Sequence, residues 1–212
     1  MKHQDERALI EGCYNLGYSP SQESLSKFRT YLELLLSWNR RINLFSRRDE
    51  PHLVFRHILP SLAPLAVLPE GPFRAVDIGS GAGFPGIPIK ILRRDIRITL
   101  VESRRMRALF LRKVVEELGL EGAEVIWTRA EELARDPAHR RSYDWALARA
   151  VAELPTIIEY ATPLLREGGG ILTYKSSERS AAELTGVHIR WEAYEVRPHP
   201  SMEPVSLVIL RV

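Results

Sequence analysis

The chain has 212 residues, of which 45% are hydrophobic and 27% are charged, as in an ordinary globular protein with a full core. The formal net charge of +3 is modest, and the single cysteine, Cys13, excludes an internal disulfide. The histidines and Cys13 lack metal-ligand spacing, and no apolar run approaches the ~18 residues of a membrane span. We therefore expect a monomeric cytoplasmic protein without a metal site.

The first part of the chain has helical patterns. Apolar residues recur at helical spacing over Ser19–Trp38, where a capping box starts at Ser19. Weaker patterns cover Asp5–Leu16 and Leu53–Leu65. Residues 1–70 are therefore predicted to form an N-terminal helical extension.

Beyond the Pro- and Gly-containing segment Leu68–Phe73, short apolar runs alternate with helical stretches. Most runs lack the period-two alternation of a half-exposed sheet, which favours a parallel sheet covered on both faces. The last two runs, on either side of Arg197–Pro204, predict an antiparallel hairpin. Residues 71–212 are thus predicted to form one α/β domain. The predicted strands are Arg74–Gly79, Arg97–Glu102, Ala123–Thr128, Tyr143–Arg149, Gly169–Lys175, Trp191–Val196 and Val205–Val212.

The stretch VDIGSGAGFPG, Val76–Gly86, carries four glycines directly after a predicted strand. The last three fit the spacing of a dinucleotide-binding loop, and Glu102 supplies the acidic residue about 20 positions further on. However, the Asp77 carboxylate would repel a pyrophosphate, and Pro85 removes an N–H that an anion would need.

A carboxylate at this place suits a cationic ligand, and S-adenosylmethionine carries both an ammonium and a sulfonium group. Glu102 would then accept from the ribose hydroxyls. The predicted strands and hairpin agree with the class I methyltransferase fold, a Rossmann-like seven-stranded sheet. The alternative is a turn that joins strand to helix, with Asp77 as its cap. A dehydrogenase is disfavoured because the chain has no Tyr-x-x-x-Lys pair.

The absence of several motifs narrows the choice of methyl acceptor. Methylation of cytosine C5 needs a cysteine nucleophile, but Cys13 lies in the extension. The Asn/Asp-Pro-Pro-aromatic motif of amino methyltransferases is absent after the fourth strand, and of the five lysines only Lys175 is placed for a ribose hydroxyl. A ring nitrogen with a free lone pair, such as guanine N7, remains and needs positioning rather than a general base.

Seven motifs in order together resemble the RsmG (GidB) family of bacterial enzymes, which methylate N7 of a guanosine in the decoding-region hairpin of 16S ribosomal RNA. This resemblance implies S-adenosylmethionine as cofactor and 16S rRNA or the small ribosomal subunit as partner. The motifs are WNRRINLF (38–45), RHILPSL (56–62), VDIGSGAGFPGIP (76–88), VESRRMRALFL (101–111), RAEEL (129–133), LARAVAEL (147–154) and YKS (174–176).

The resemblance also implies site residues. Five would contact the cofactor: Gly79, Phe84, Ala130, Glu131 and Arg149. The glycine-loop analysis adds Asp77, Gly81, Gly83 and Glu102. No residue is assigned as a catalytic acid or base. The chain departs from the family pattern at Phe45, Pro60, Met106 and Ser176.

Basic residues cluster on both sides of the predicted cleft, a pattern that favours contacts with RNA phosphates over a solvated surface. Trp38 and Trp127 are expected to pack in the interior rather than stack on bases. A small-molecule methyltransferase and a non-catalytic cofactor-binding protein remain alternatives. The predicted RNA-binding residues are Arg40, Arg41, Arg47, Arg48, Arg56, His57, Arg104, Arg105, Arg107 and Lys175.

Overall fold

A computed structural model describes all residues from Met1 to Val212. Seven strands form one sheet in the order β3-β2-β1-β4-β5-β7-β6, in which only β7 runs opposite to the other six. The predicted mostly parallel sheet with an antiparallel C-terminal hairpin is therefore confirmed. The strands are β1 (Arg74–Ile78), β2 (Arg97–Glu102), β3 (Ala123–Trp127), β4 (Tyr143–Ala148), β5 (Leu165–Thr173), β6 (Arg190–Val196) and β7 (Val205–Arg211).

Buried apolar residues on both faces of the central strands explain the parallel pairing. Ile78 in β1, for example, is in register with Val101 of β2 and Ala148 of β4, and all three are buried. Because β1, β2, β4 and β5 run in the same direction, the segments that follow them meet at one edge of the sheet. The helices around the sheet are α4 (Gly86–Leu92), α5 (Arg105–Glu117), α6 (Ala130–Leu133), α7 (Leu154–Ala161) and α8 (Ser177–Glu183).

The N-terminal extension begins with two regular helices, α1 (His3–Asn15) and α2 (Gln22–Asn39). The predicted capping box at Ser19 is wrong, since the hydroxyl of Ser21 accepts from the Ser24 N–H at 3.1 Å and starts α2.

The predicted helix over Leu53–Leu65 is also different in the structure. It consists of a π-helical turn (Val54–Ile58), one α turn that we label α3 (Leu59–Leu62) and a 3-10 turn (Ala63–Ala66). Pro60 and Pro64 cannot donate a backbone hydrogen bond, so a regular helix is not maintained here.

The extension packs on the sheet without a separate core of its own. Phe28 and Ile58 from the extension belong to the same buried cluster as Ile87 and Ile98 on one side of the sheet. A smaller cluster on the opposite side includes Ile157 of α7. The extension is thereby held against the edge where the candidate site lies.

Two tryptophans have different environments. Trp38 packs edge-to-face on Phe110, with 5.6 Å between ring centroids, as predicted. The prediction that Trp127 packs in the interior is wrong, because its side chain is 51% exposed. Trp127 ends β3, the edge strand of the sheet, where no neighbouring strand covers it.

Candidate functional site

The glycine loop connects β1 to α4 at the carboxyl edge of the sheet. Gly79 has φ +67°, and a Cβ there would lie 3.1 Å from Val151 Cγ2. Gly86 has no room for a side chain, since a Cβ would lie 2.6 Å from both Asp77 Oδ2 and Leu100 Cδ2. The loop therefore lies tightly over β1 and leaves the Gly79 backbone exposed.

Asp77 lies beneath this loop and is completely buried. Its Oδ2 accepts from the Gly86 N–H at 3.1 Å, whereas its Oδ1 has no hydrogen-bond partner. Burial raises the pKa of Asp77 to about 7, although the Gly86 N–H opposes the shift. The structure thus gives Asp77 the capping role of the simple-turn alternative, yet leaves a buried acceptor unused beside the loop.

Glu102 fastens the loop to the end of β2. Its Oε2 accepts from the Gly81 N–H at 2.9 Å, and its Oε1 accepts from the Arg104 N–H at 2.7 Å. Glu102 is also buried, so in this structure its carboxylate positions two backbone segments. A ribose would share that carboxylate with them.

A cavity of about 200 Å³ opens between the ends of β1, β2 and β3. It contains the predicted cofactor residues Gly79, Ala130 and Glu131. The nearby Glu131 carboxylate raises the pKa of the Tyr160 phenol. The remaining lining residues are Ile78, Val101, Ser103, Thr128, Arg129, Val151 and Tyr160.

A second cavity, of about 310 Å³, lies between the glycine loop and the extension, and Gly81, Phe84 and Arg149 line it. The imidazole of His57 stacks on Phe84, with 5.0 Å between centroids and 9° between planes. His57 Nε2 lies 3.0 Å from Asp49 Oδ2. Burial lowers the pKa of His57, and the Asp49 hydrogen bond opposes that shift.

Arg149 follows β4 directly and binds the extension. Its guanidinium donates to the His57 carbonyl at 3.2 Å, to Ser61 Oγ at 2.9 Å and to the Arg56 carbonyl at 3.2 Å. It also lies over the rings of Phe84 and Tyr174, 5.7 Å and 5.2 Å from their centroids. Two of its nitrogens are therefore committed to the extension, and a cofactor carboxylate would compete with these contacts.

A third cavity, of about 850 Å³, opens between β4, β5 and α8. It shares Arg149 and Ala150 with the second cavity and Val151 with the first, so the three cavities adjoin at these residues, and we refer to them together as the cleft. The sequence did not predict that the cavities meet at residues 149–151. Ala150 has φ +56°, unusual for a residue with a side chain, and nothing in the sequence indicates it.

The predicted RNA-binding residues fall into two groups. Lys175 is ion-paired with Glu183 at 2.6 Å and only 8% exposed, Arg107 donates to the Asn43 carbonyl at 2.7 Å, and His57 is stacked as described. These three are engaged within the chain. The exposed members of the set are Arg40, Arg41, Arg47, Arg48, Arg56, Arg104 and Arg105.

The four departures from the family pattern have identifiable surroundings. The Phe45 ring lies 5.5 Å from that of His57, and the Pro60 carbonyl accepts from the Tyr174 hydroxyl at 3.2 Å. Ser176 caps α8 by accepting from the Arg179 N–H, and Met106 is exposed. Three of the four, Phe45, Pro60 and Ser176, thus line these cavities.

The strand order and the glycine loop define the fold of S-adenosylmethionine-dependent methyltransferases. A SAM-dependent methyltransferase from Aquifex aeolicus has a TM-score of 0.59 to this chain, covering 78% of it and 95% of that protein at 15% identity. TYW2 of M. jannaschii, solved in complex with AdoMet, has a TM-score of 0.53, covering 81% of this chain and 78% of TYW2 at 13% identity.

Sequence similarity is more specific. The family described as GidB, rRNA small subunit methyltransferase G, matches residues 24–201. A relative from Roseiflexus sp. (strain RS-1), "Ribosomal RNA small subunit methyltransferase G", is 41% identical, with 95% of this chain and 89% of the relative covered. One of the same name from Chloroflexus aggregans is 40% identical, with 97% and 89% covered. The chain belongs to the rRNA small subunit methyltransferase G family, as its motifs predicted.

None of the helices is long and apolar enough to cross a membrane.

Proposed function

We propose that this methyltransferase uses S-adenosylmethionine to methylate guanine N7 in 16S rRNA, within the small ribosomal subunit or its RNA. Family membership supports the class of reaction. The observation that carries the proposal is the cleft at the carboxyl edge of the sheet, where a small cavity beside the glycine loop shares Val151 with one of about 850 Å³. The larger volume suits a nucleotide.

The residues around the glycine loop fit the cofactor. Gly79 leaves its backbone open where a Cβ would crowd Val151, and Asp77 retains an unpaired buried oxygen. A buried acceptor without a partner favours a ligand that brings an N–H donor, as the ammonium group of S-adenosylmethionine does. Ala130 and Glu131 would border its adenosine part, while Gly81, Gly83 and Phe84 would border its amino-acid part. When bound, the cofactor supplies an electrophilic methyl group.

The acceptor side of the cleft suits a nucleophile that needs no general base. Burial raises the pKa of the Tyr174 phenol, whose hydroxyl donates to the Pro60 carbonyl. Burial would also raise the pKa of Glu183, but hydrogen bonds from Lys175, Leu154 N–H and Arg179 outweigh it and lower this pKa to about 2. Neither group is prepared to accept a proton at neutral pH. Guanine N7 requires only alignment with the methyl group.

The test is transfer of a labelled methyl group. The protein is incubated with S-adenosylmethionine labelled in the methyl group and with either naked 16S rRNA or 30S subunits. The RNA is then digested to nucleosides, and we expect the label in 7-methylguanosine. Label in another nucleoside would refute the position, and label only in small molecules would favour the small-molecule alternative. Cofactor binding without any transfer would favour the non-catalytic one.

A further inference from the structure

The most exposed tryptophan of the chain lies beside the cleft. Trp127 ends β3 and is 51% exposed, and the next residues, Thr128 and Arg129, line the small cavity. Half of the indole surface stays in water and forgoes the free energy that its burial would give. About half of the ring at the rim is therefore available to a partner.

The indole is held in place by its own chain. Trp127 Nε1–H donates to the Ser103 carbonyl at 2.9 Å, so its one polar group is satisfied. The guanidinium carbon of Arg105 lies 5.9 Å from the ring centroid, in cation–π range. What Trp127 still offers to a partner is an oriented aromatic surface.

The surroundings of this ring are basic. Arg104, Arg105 and Arg129 are exposed near it, opposed by Glu131 and Glu132, of which Glu132 accepts from Thr128. Arginines bind phosphates, and an aromatic ring between them can stack on a base. This combination favours a nucleotide over an apolar protein surface, which would leave the arginine charges unpaired.

We propose that Trp127 and Arg105 form a stacking platform for one unpaired base of the RNA next to the nucleotide that enters the cleft. This inference rests on the proposed function and extends it, because it assigns a second contact outside the methyl-transfer site. The platform would use the base's π face and so tolerate any base. Trp127 is a positioning residue that does not touch the reacting atoms.

Binding of short oligonucleotides tests the platform. Oligoadenylate and an abasic RNA backbone of the same length share phosphate contacts but differ in stacking. We expect Trp127→Ala to lower affinity for oligoadenylate about fivefold or more, since one stacked base contributes roughly 1–3 kcal/mol. Affinity for the abasic strand stays at the wild-type value. Trp127→Phe restores most of the loss, whereas Trp127→Leu, apolar but not aromatic, does not.

Two measurements separate base stacking on Trp127 from a structural role of its side chain. Trp127→Ala loses the hydrogen bond to the Ser103 carbonyl and half-buried apolar surface, so its melting temperature falls, but it still folds and binds S-adenosylhomocysteine like wild type. Equal oligoadenylate binding by Trp127→Ala and wild type overturns the platform. Equal losses for both oligonucleotides also overturn it, because stacking would then contribute nothing. Failure of the wild-type protein to methylate 16S rRNA overturns the proposed function instead, whatever the variant does.

Discussion

Arg149 at the end of β4 donates to Ser61 Oγ in the extension at 2.9 Å, and Ser61 itself is completely buried. With the bonds to the carbonyls of Arg56 and His57, this contact joins the carboxyl edge of the sheet to the extension. The same guanidinium borders both the second cavity and the large one. Cleft shape and packing of the extension therefore depend on one side chain.

Arg149→Ala is expected to lower the free energy of unfolding by about 2 kcal/mol, since hydrogen bonds from a charged group contribute roughly 1.5–3 kcal/mol each and this one is partly exposed. Urea unfolding measures the loss. Ser61→Ala removes one acceptor, so the double variant should lose less than the sum of the single variants. Unchanged unfolding together with lost S-adenosylhomocysteine binding would instead assign Arg149 to the cofactor.

Asp77 gives a stability that depends on pH. Burial raises its pKa from 3.8 to about 7, so the folded protein holds a proton between those values that the unfolded chain releases. Its contribution is fully present below about pH 4 and is lost as the pH rises through 7. The free energy of unfolding of Asp77→Asn, relative to wild type, should therefore increase with rising pH. The increase should reach roughly 4 kcal/mol, because each unit of pKa difference corresponds to about 1.36 kcal/mol.

Denaturant unfolding at pH values of about 4.5, about 6 and about 8 measures this difference. Asparagine keeps an oxygen that can accept from the Gly86 N–H, so the cap is retained in the variant. A constant difference between the two proteins across this range would show that Asp77 is ionised when folded.

The exposed arginines provide a test of RNA contact. Charge reversal at Arg40 and Arg41, or at Arg104 and Arg105, should weaken 16S rRNA binding and flatten its dependence on salt. Each lost phosphate contact lowers the slope by about 0.7–0.9. S-adenosylhomocysteine binding should stay at the wild-type value, because these side chains point to solvent. If the variants bind RNA with the same salt dependence as wild type, these arginines form a solvated surface and do not contact RNA.

Local pattern predicted most of the fold. The buried apolar runs identify the strands because strand burial on both faces leaves a signal in a few adjacent residues. The environment of Trp127 could not be predicted in the same way, since it depends on β3 being the sheet edge. The Arg149 contacts likewise require the π-helical turn at Val54–Ile58, which turns two carbonyls toward the sheet.

Prediction of the cofactor residues from local sequence was also incomplete. The spacing in Val76–Gly86 indicated a ligand loop, and the structure brings Gly79, Ala130 and Glu131 to one cavity. The apolar run around Asp77 indicated that it is buried, but the sequence could not show that one carboxylate oxygen accepts from Gly86 while the other has no partner. The structure adds a capping role for one Asp77 oxygen to the cofactor contact that the sequence predicts.

Lys175 and Glu183 form a pair that is largely hidden from solvent, with side chains 8% and 11% exposed and 2.6 Å between Lys175 Nζ and Glu183 Oε2. Lys175→Met should lower the free energy of unfolding by about 3 kcal/mol, because it leaves a buried carboxylate with less compensation. Arg179→Met is the matched control. Arg179 binds the same carboxylate at 2.8 Å but is 67% exposed, so its loss should cost under about 1 kcal/mol.

The pH dependence of the free energy of unfolding tests whether the Lys175–Glu183 pair stabilises the fold. Because the pKa of Glu183 is lowered to about 2, its contribution is present above its ordinary value of 4.5 and is lost as the pH falls through 2. The difference between wild type and Lys175→Met should therefore shrink on acidification from about pH 5 toward pH 2. If Lys175→Met instead unfolds like wild type at neutral pH but binds 16S rRNA less tightly, the Lys175 ammonium group contacts RNA, as the sequence predicted.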